Sequence, residues 1–247
     1  MPGQEQPRPL AADEVGEGGF RHYDLVMAAF VAVLLLSNVV GAGKRAEIDL
    51  PLVGSWPFGA GILFFPVSYV LGDILTEVYG FARARRVIWA GFAAVLFAAA
   101  MAWVVVALPP ATDWPGQPAY QAVFGQVPRI VGASMVAFWA GEFVNAYVMA
   151  RMKVATAGRF LWMRTISSTV LGEGVDSLLF YPLAFLGAPG WTGTSVAAVL
   201  LSQWVLKVGW EVLLTPFTYL VIGRLKRAEG IDVFDRGTDF SPFRTRV

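Results

Sequence analysis

Six runs of apolar residues follow one another along the chain, and polar or Gly- and Pro-containing stretches separate them. A helix needs about 20 predominantly apolar residues to cross the hydrocarbon layer of a bilayer. The runs therefore predict an all-α integral membrane protein with six transmembrane helices. Their approximate bounds are Leu25–Gly41, Ile62–Tyr79, Val87–Leu108, Ile130–Met149, Ile166–Leu186 and Val196–Ile222.

A weaker apolar stretch lies between the first two runs, at residues 46–61, and contains the sequence LPLVGSWPFGAG. Pro and Gly interrupt regular structure. We therefore expect a loop or a shallow re-entrant segment here rather than a seventh helix. The last run is different, because its length allows it to tilt or to pass the membrane edge.

The amino-acid composition agrees with a membrane protein and argues against several classes of partner and site. Hydrophobic residues make up 56% of the chain and charged residues 15%, and the mean hydropathy is +0.58. Soluble domains carry about 25% charged residues. The net charge of +1 and the lack of a basic, aromatic surface predict no nucleic-acid partner. With no cysteine and one histidine, His22, the sequence predicts no catalytic residues, no metal site and no cofactor.

The positions of Lys and Arg predict the orientation, because cytoplasmic loops are enriched in both. Fifteen of them fall in the tails and in the second-to-third and fourth-to-fifth connections, and three fall in the alternate connections. Lys207 lies inside the last run. Six spans with both termini in the cytoplasm explain this bias, whereas seven spans would scatter it.

The flanks differ in composition from the apolar region. Residues 1–19 are rich in Pro, Gly, Glu and Gln. Such composition is typical of disorder. We expect a disordered cytoplasmic tail at 1–22, a six-helix transmembrane domain at 23–227, and a cytoplasmic C-terminal tail at 228–247. The N-terminus does not have the pattern of a signal peptide, so the first apolar run is expected to be retained.

Ionisable residues inside the apolar runs are the strongest functional signal, since each is costly to hold in hydrocarbon. Residues three or four apart share one face of a helix. Four such pairs occur in four different runs: Asp73 with Glu77, Glu142 with Asn145, Glu173 with Asp176, and Lys207 with Glu211. These side chains are expected to face the bundle interior.

A structural role is the alternative for any one of these residues. Lys207 and Glu211 would pair within one helix, and Arg83 or Arg86 would meet Glu77 near the cytoplasmic surface. The whole set is harder to explain in this way, because six carboxylates within the apolar runs outnumber the single cation there, Lys207. The excess predicts a bound cation, protonated carboxylates, or a ligand rich in hydrogen-bond donors.

Neutral polar and aromatic residues extend the candidate site. The amide of Asn38 needs several hydrogen-bond partners. Aromatic side chains near the carboxylates either pack or stack on a planar ligand. We take as candidate substrate-binding residues Asn38, Asp73, Glu77, Glu173, Asp176, Lys207 and Glu211.

Two segments resemble each other internally. Ser68-x-Val70-Leu71-Gly72-Asp73 in the second run is similar to Ser168-x-Val170-Leu171-Gly172-Glu173 in the fifth. Inverted repeats of three helices each would account for this, and they are common in transporters. Short matches in Val- and Leu-rich sequence also arise by chance, so both interpretations stay open.

Five segments resemble a known family, the bacterial queuosine-precursor transporters, formerly named as vitamin-uptake transporters. They are SNVVGAGK at 37–44, FPVSYVLGDILTEVYGF at 65–81, RTISSTVLGEGVDSLLFYP at 164–182, KVGWEVLLTPFTYLVIGRLKRAEGIDVFD at 207–235 and DFSPFR at 239–244. The resemblance runs from about residue 25 to the end. Family motifs fall on Asn38, Lys44, Asp73, Glu77, Arg83, Arg86, Arg164, Glu173, Asp176, Lys207 and Glu211.

The resemblance implies a multi-pass protein of the bacterial cytoplasmic (inner) membrane. It implies uptake of 7-cyano-7-deazaguanine or 7-aminomethyl-7-deazaguanine for tRNA modification. The partners would be a 7-deazaguanine base and the lipid bilayer. The sequence does not decide between a monomer and a homodimer.

Two other functions remain open. In the first, the chain is the substrate-binding membrane subunit of an ATP-driven vitamin or nucleobase importer. The small residues Ala28-x-x-x-Ala32 would then form the face on which another subunit docks. In the second, the chain is a membrane enzyme that uses Asp73 and Glu77 as acid and base. The sequence contains no recognised nucleophile, base or metal set, which disfavours the enzyme.

Overall fold

The computed structural model describes residues 8–11, 20–41, 45–50, 54–59, 63–125 and 128–244. Within these ranges the chain is mostly helical. The helices are α1 (Tyr23–Leu36), which continues as a π-helical turn (Ser37–Gly41), α2 (Phe65–Tyr79), α3 (Phe81–Ala107), α4 (Gln117–Phe124), α5 (Pro128–Ala155), α6 (Leu161–Phe185) and α7 (Gly193–Glu229). The short strands are β1 (Arg8–Ala11), β2 (Arg45–Leu50), β3 (Gly54–Gly59) and β4 (Ile231–Phe234).

Each of the six apolar runs falls on one long helix, namely α1, α2, α3, α5, α6 and α7. The sequence pattern did not predict α4, which is only eight residues long and lies between the third and fourth runs. The stretch at 46–61, expected to be a loop or re-entrant segment, contains the antiparallel pair β2–β3.

Three helical stretches in the described part of the chain are long and apolar enough to cross a membrane. They are α3, the stretch that contains α5, and α7. At ~1.5 Å per residue, α7 is about 55 Å long, well beyond the ~30 Å hydrocarbon layer. This length agrees with the expectation that the last helix runs past the membrane edge.

Two further helices, α2 and α6, also carry buried carboxylates and are not among these three. α2 has 15 residues and buries twelve of them, including Asp73 and Glu77. α6 has 25 residues, and Glu173 and Arg164 are buried on it. Neighbouring helices cover α2, so α2 lies at the centre of the bundle, whereas α3 is largely exposed and lies on its outside.

Glycines allow α5 and α6 to approach closely. A Cβ atom on Gly172 would lie 2.9 Å from the carbonyl oxygen of Gly141 and 2.8 Å from the Cβ of Asn145. A Cβ on Gly141 would lie 3.0 Å from the carbonyl oxygen of Gly172. Small residues permit such contacts between membrane helices. This crossing brings the polar residues of α5 next to those of α6.

A tight turn at Gly80 joins α2 to α3. Gly80 has φ 85°, and a Cβ there would lie 2.9 Å from Cγ1 of Val233. Glycine adopts this conformation without steric cost. The turn places the arginines of residues 83–86 in the first turns of α3 rather than in a loop.

The C-terminal segment folds back onto the start of α3. The backbone N–H of Phe81 donates to both carboxylate oxygens of Asp235, at 3.0 and 3.1 Å. Arg85 donates to the carbonyl oxygens of Asp239 and Ser241. Burial raises the pKa of Asp235, and the hydrogen bonds from Phe81 and Thr238 partly offset that rise.

Both ends of the described chain lie at one end of the bundle. β1 pairs in parallel with β4, although residues 8–11 belong to the tail expected to be disordered. The carboxylate of Glu229 accepts from the backbone N–H groups of Arg21 and His22, at 2.8 and 2.9 Å. α2, α5 and α7 end here, and α3 and α6 begin here. We call this the charged end.

The contact between α5 and α6 leads to a stability prediction. Gly172→Ala is expected to lower the free energy of unfolding by about 1–3 kcal/mol, because the added methyl group meets backbone on the facing helix. Thermal unfolding in detergent measures this. Gly132→Ala on α5 is the matched control, since a Cβ there meets nothing within 4 Å. Equal unfolding temperatures for the two variants would contradict the close crossing.

Candidate functional site

Glu77 is the centre of an ion-pair cluster at the charged end. Its carboxylate is fully buried and accepts from Arg164 Nε at 2.8 Å and Arg164 Nη2 at 2.7 Å. Lys226 Nζ lies 2.5 Å from its Oε1 and Lys153 Nζ lies 3.5 Å from it. A planar guanidinium that meets a carboxylate with two bonds is a strong, oriented pair. The cluster thus joins α2, α5, α6 and α7.

Lys153 extends this cluster to the C-terminal strand. Its ammonium donates to the backbone oxygen of Glu77 at 2.6 Å, to Asp232 Oδ1 at 2.6 Å and to the backbone oxygen of Val233 at 2.7 Å. Lys226 also contacts Asp232, at 2.7 Å. All three hydrogen-bond positions of the buried Lys153 ammonium are therefore satisfied.

Lys207 occupies a second cluster, deeper in the bundle. Its ammonium lies 2.6 Å from Glu173 Oε2 and 2.7 Å from Asp176 Oδ2, both on α6. It also lies over the ring of Phe65, 5.4 Å from the centroid. One lysine on α7 thus holds two carboxylates of α6 together.

Asp73 and Asn145 link α2 to α5. The Asn145 amide donates to Asp73 Oδ1 at 2.8 Å, and the Ser168 hydroxyl donates to the same oxygen at 3.4 Å. The second oxygen, Asp73 Oδ2, is buried and has no partner among the described residues. One oxygen of the Asp73 carboxylate is therefore held by hydrogen bonds, and the other can still accept one.

Further buried oxygens on α2, α5, α6 and α7 also have no hydrogen-bond partner within the described ranges. Native proteins rarely leave buried polar groups in this state. We call the set the acceptor cluster, because the carboxylate and amide oxygens in it only accept. It consists of Asp73 Oδ2, Asn145 Oδ1, both oxygens of Glu142 and of Glu211, and the hydroxyls of Tyr69, Thr169 and Ser177.

Four helices supply the acceptor cluster, and glycines bring them together. A Cβ on Gly72 would lie 2.9 Å from Glu142 Oε2, and a Cβ on Gly141 would lie 2.8 Å from the Tyr69 hydroxyl. Glu211 approaches from α7, where it is buried. Negative charge from Glu142 and Glu211 reaches Asp73, so these carboxyl groups are near neighbours.

The structure separates the candidate residues into three groups. Asp73 and Glu211 belong to the acceptor cluster, and Glu173, Asp176 and Lys207 form the neighbouring ion pair. Glu77 lies at the charged end instead. Asn38 donates to Leu34 O at 2.9 Å and Ser37 Oγ at 3.3 Å, within its own helix. Lys44 lies outside the described residues.

Both pairings of the structural alternative were wrong. Lys207 pairs with Glu173 and Asp176 and not with Glu211, because α6 packs against α7 at this level. Glu77 pairs with Arg164, Lys153 and Lys226 rather than with Arg83 or Arg86. The Arg83 guanidinium instead lies over the ring of Phe20, 4.6 Å from its centroid.

The candidate set did not include several residues of these clusters. Glu142 and Asn145 carried a signal, since they are polar and spaced i,i+3 in an apolar run. Ser177 carried none. Lys153 and Lys226 had been counted as cytoplasmic cations, and spacing along the chain does not indicate that they reach Glu77.

The chemistry of the acceptor cluster points to a donor-rich occupant. Among the described residues, no group of three or more His, Cys, Asp or Glu side chains is arranged to hold a metal ion. The free groups are mostly carboxylate and amide oxygens, which accept hydrogen bonds. Ligand N–H groups or protons satisfy such oxygens.

Lys207 provides a test of the deeper ion pair. Lys207→Met is expected to lower the free energy of unfolding by about 3–5 kcal/mol, because the buried carboxylate of Glu173 and the partly buried one of Asp176 lose their cation. Lys207→Arg retains the charge and part of the stability. Thermal unfolding in detergent distinguishes them, with Arg224→Met, an exposed cation on the same helix, as control. Wild-type stability of Lys207→Met would mean that Lys207 extends to the membrane interface.

Comparisons with known proteins agree with the resemblance of the motifs. The family described as "Putative vitamin uptake transporter" matches residues 59–221, which include the whole acceptor cluster. A Bacillus subtilis (strain 168) protein named "Probable queuosine precursor transporter" is 29% identical over 163 residues, which are 64% of this chain and 69% of that protein.

A second relative comes from Escherichia coli (strain K12) and is named "Queuosine precursor transporter". It is 29% identical over 129 residues, which are 52% of this chain and 56% of that protein. No solved structure matches the chain significantly. The family match covers well over half of the chain and includes α2, α3, α5 and α6. The chain is therefore a transmembrane transport protein that belongs to the queuosine-precursor transporter family, described as vitamin uptake transporters.

Proposed function

We propose that this protein imports a queuosine precursor, 7-cyano-7-deazaguanine or 7-aminomethyl-7-deazaguanine, across the bacterial cytoplasmic (inner) membrane for tRNA modification. Membership in a transporter family and the names of both relatives support transport rather than catalysis. The observation that carries the proposal for this chain is the acceptor cluster between α2, α5, α6 and α7.

A 7-deazaguanine base complements this cluster. Its guanine-like edge has adjacent N–H donors, and a carboxylate accepts two such bonds side by side. Asp73 Oδ2 and the two oxygens of Glu211 are free acceptors for that edge. Leaving them unpaired would cost about 1–3 kcal/mol each, and more for charged groups. A donor-rich base removes that cost.

The second cluster supports the first in this proposal. Lys207 neutralises Glu173 and Asp176, and Tyr181, one turn after Ser177 on α6, lies close enough to this cluster to interact with Lys207. Tyrosine rings provide a face on which a flat heterocycle stacks. We therefore assign the ligand to Asp73 and Glu211 first, with Glu173, Asp176 and Lys207 beside it.

Glu77 and Asn38 take other roles in this proposal. The three cations around Glu77 leave little capacity for a ligand. We assign it to closing the charged end of the bundle. Asn38 stabilises the π-helical turn after α1 through its bond to Leu34.

A base-binding experiment tests this proposal. Asp73→Asn is expected to weaken binding of 7-cyano-7-deazaguanine about ten- to a hundredfold, because hydrogen bonds to a charged acceptor contribute ~1.5–3 kcal/mol. Calorimetry or ligand-induced thermal stabilisation of the purified protein measures this. Adenine should bind weakly to the wild type, since its edge presents a different donor pattern.

Asp113→Asn, in the exposed segment after α3, is the matched control and should bind as the wild type does. Glu77→Gln should lose stability rather than selectivity for the base. Normal binding by Asp73→Asn, Glu173→Gln and Asp176→Asn together would move the substrate site away from this cluster. Uptake into liposomes by this chain alone distinguishes a stand-alone transporter from a subunit of an ATP-driven importer.

We also propose six membrane spans with both termini in the cytoplasm. The fifteen-to-three distribution of Lys and Arg supports this orientation. The pairing of β1 with β4 supports a common side for the two termini. The antiparallel directions of α2 and α6, the middle helices of the two halves, favour an inverted repeat.

Reporter fusions test the orientation. A fusion after Arg244 should give a cytoplasmic signal, and a fusion in the segment between α3 and α4 should give a periplasmic one. A periplasmic signal at the C-terminus would exclude the arrangement with an even number of spans.

A further inference from the structure

Glu142 differs from the other buried carboxyl groups in its surroundings. It lies on α5 with 1% exposure, and neither of its oxygens has a hydrogen-bond partner among the residues that the structure describes. Its Oε2 lies 2.9 Å from the position of a Cβ on Gly72, and a ring carbon of Phe30 lies 3.8 Å from that same position. The carboxyl group therefore packs into the contact of α5 with α1 and α2.

The ionisable groups around Glu142 are mostly acids. Negative charge from Glu173 and Asp176 reaches it directly, and Asp73 is a further acidic neighbour. From the packed elements, the groups that interact with Glu142 are Tyr69 and Asp73 on α2 and Glu173 and Asp176 on α6. On α7, Glu211 interacts with Asp73. Lys207 is already shared by two carboxylates.

An ionised Glu142 would be costly in this position. A buried, unpaired carboxylate pays a large desolvation penalty, and proteins usually avoid it by protonation, pairing or metal binding. The described residues offer no metal-binding group of three or more ligands. The nearest cation is engaged elsewhere. A proton is therefore the ligand that fits the Glu142 oxygens.

Glu142 and the oxygens assigned to the base have partly different neighbours. Glu142 lies beside Gly72 and Phe30, on the side of α1, whereas Asp73 is also close enough to Glu211 of α7 to interact with it electrostatically. The two groups remain coupled, because Asn145 is one turn from Glu142 and holds Asp73 through a 2.8 Å hydrogen bond. Protonation on α5 can thus influence the base site on α2.

We propose that Glu142 binds a proton that crosses the membrane with the base, so that an inward proton gradient drives uptake. The inference rests on the proposed function, because it deepens the mechanism of the same transporter. The helices pack closely around Glu142 only when its carboxyl group is neutral. The closed arrangement that carries the base therefore also carries the proton, and reopening on the alkaline side releases it.

Uptake into liposomes that contain only this protein tests the proposal. The probe is radiolabelled 7-cyano-7-deazaguanine, the interior is more alkaline than the exterior, and the membrane potential is clamped. For one proton per base, a gradient of about one pH unit supports about tenfold accumulation. We expect the wild type to approach this value and a protonophore to abolish it.

Glu142→Gln should only equilibrate the base under the same gradient, while it still exchanges labelled for unlabelled base. Glu142→Asp should restore part of the accumulation. Glu47→Gln, a carboxylate exposed on β2, is the matched control and should accumulate as the wild type does. Replacing sodium by choline should change nothing.

Different outcomes overturn different statements. Accumulation by Glu142→Gln at the wild-type level, or accumulation that follows sodium, overturns the proton site. Exchange by the wild type without accumulation overturns proton coupling and leaves the proposed function intact. A wild-type protein that neither binds nor exchanges the base overturns the proposed function itself.

A measurement on the wild type covers the case in which Glu142→Gln does not fold. In weakly buffered detergent at an alkaline pH, where Glu142 is ionised in the open protein, binding of 7-cyano-7-deazaguanine should take up protons, and a pH indicator should report alkalinisation. If the protein becomes saturated with base and the pH does not change, the proposal is overturned.

Discussion

The buried carboxylate of Glu77 is the constraint on which the arrangement of this bundle depends. It is fully buried and has three cations around it, from α5, α6 and α7. Removing one partner from a buried ion pair typically costs about 3–5 kcal/mol, because a charge is left uncompensated. The helix ends must therefore remain within a few ångströms of α2, and Lys153 transmits the same requirement to β4.

This concentration of cations explains the character of the interior. Arg164, Lys153 and Lys226 are committed at the charged end, so Lys207 is the cation left for the carboxylates deeper in the described part of the bundle. Asp73, Glu142 and Glu211 have no cation at pairing distance in that part, and five of their six oxygens have no hydrogen-bond partner there. The ion pairs of the charged end hold four helices together, and the acceptor cluster keeps the unsatisfied groups to which we assign base binding. In that proposal, the largest ion-pair cluster and the base site lie in different layers of the same four helices.

The sequence predicted the helices well and the contacts between them poorly, for a physical reason. Apolar runs report burial, in lipid or inside the bundle, which depends mainly on each segment alone, so each of the six predicted runs falls on a helix. Spacing of three or four residues correctly predicted that the carboxylates share helix faces. Partners across helices depend on tertiary approach instead. Spacing suggested Glu211 as the partner of Lys207, but the packing of α7 against α6 determines that it meets Glu173 and Asp176 instead.

The same separation of layers constrains the transport cycle. If the charged end faces the cytoplasm, as proposed, release of the base requires α2 to separate from at least one of its three partners there. Arg164 and Lys226 both contact Glu77 Oε1, so the carboxylate can exchange one partner while it retains another. The Glu77 ion-pair cluster, with its several cations, therefore has a lower free-energy cost of opening than a single isolated ion pair. Separation of an isolated pair leaves both charges unpaired. Two packed arrangements of similar free energy, with different partners for one buried carboxylate, are the kind of bistable element that alternating access needs.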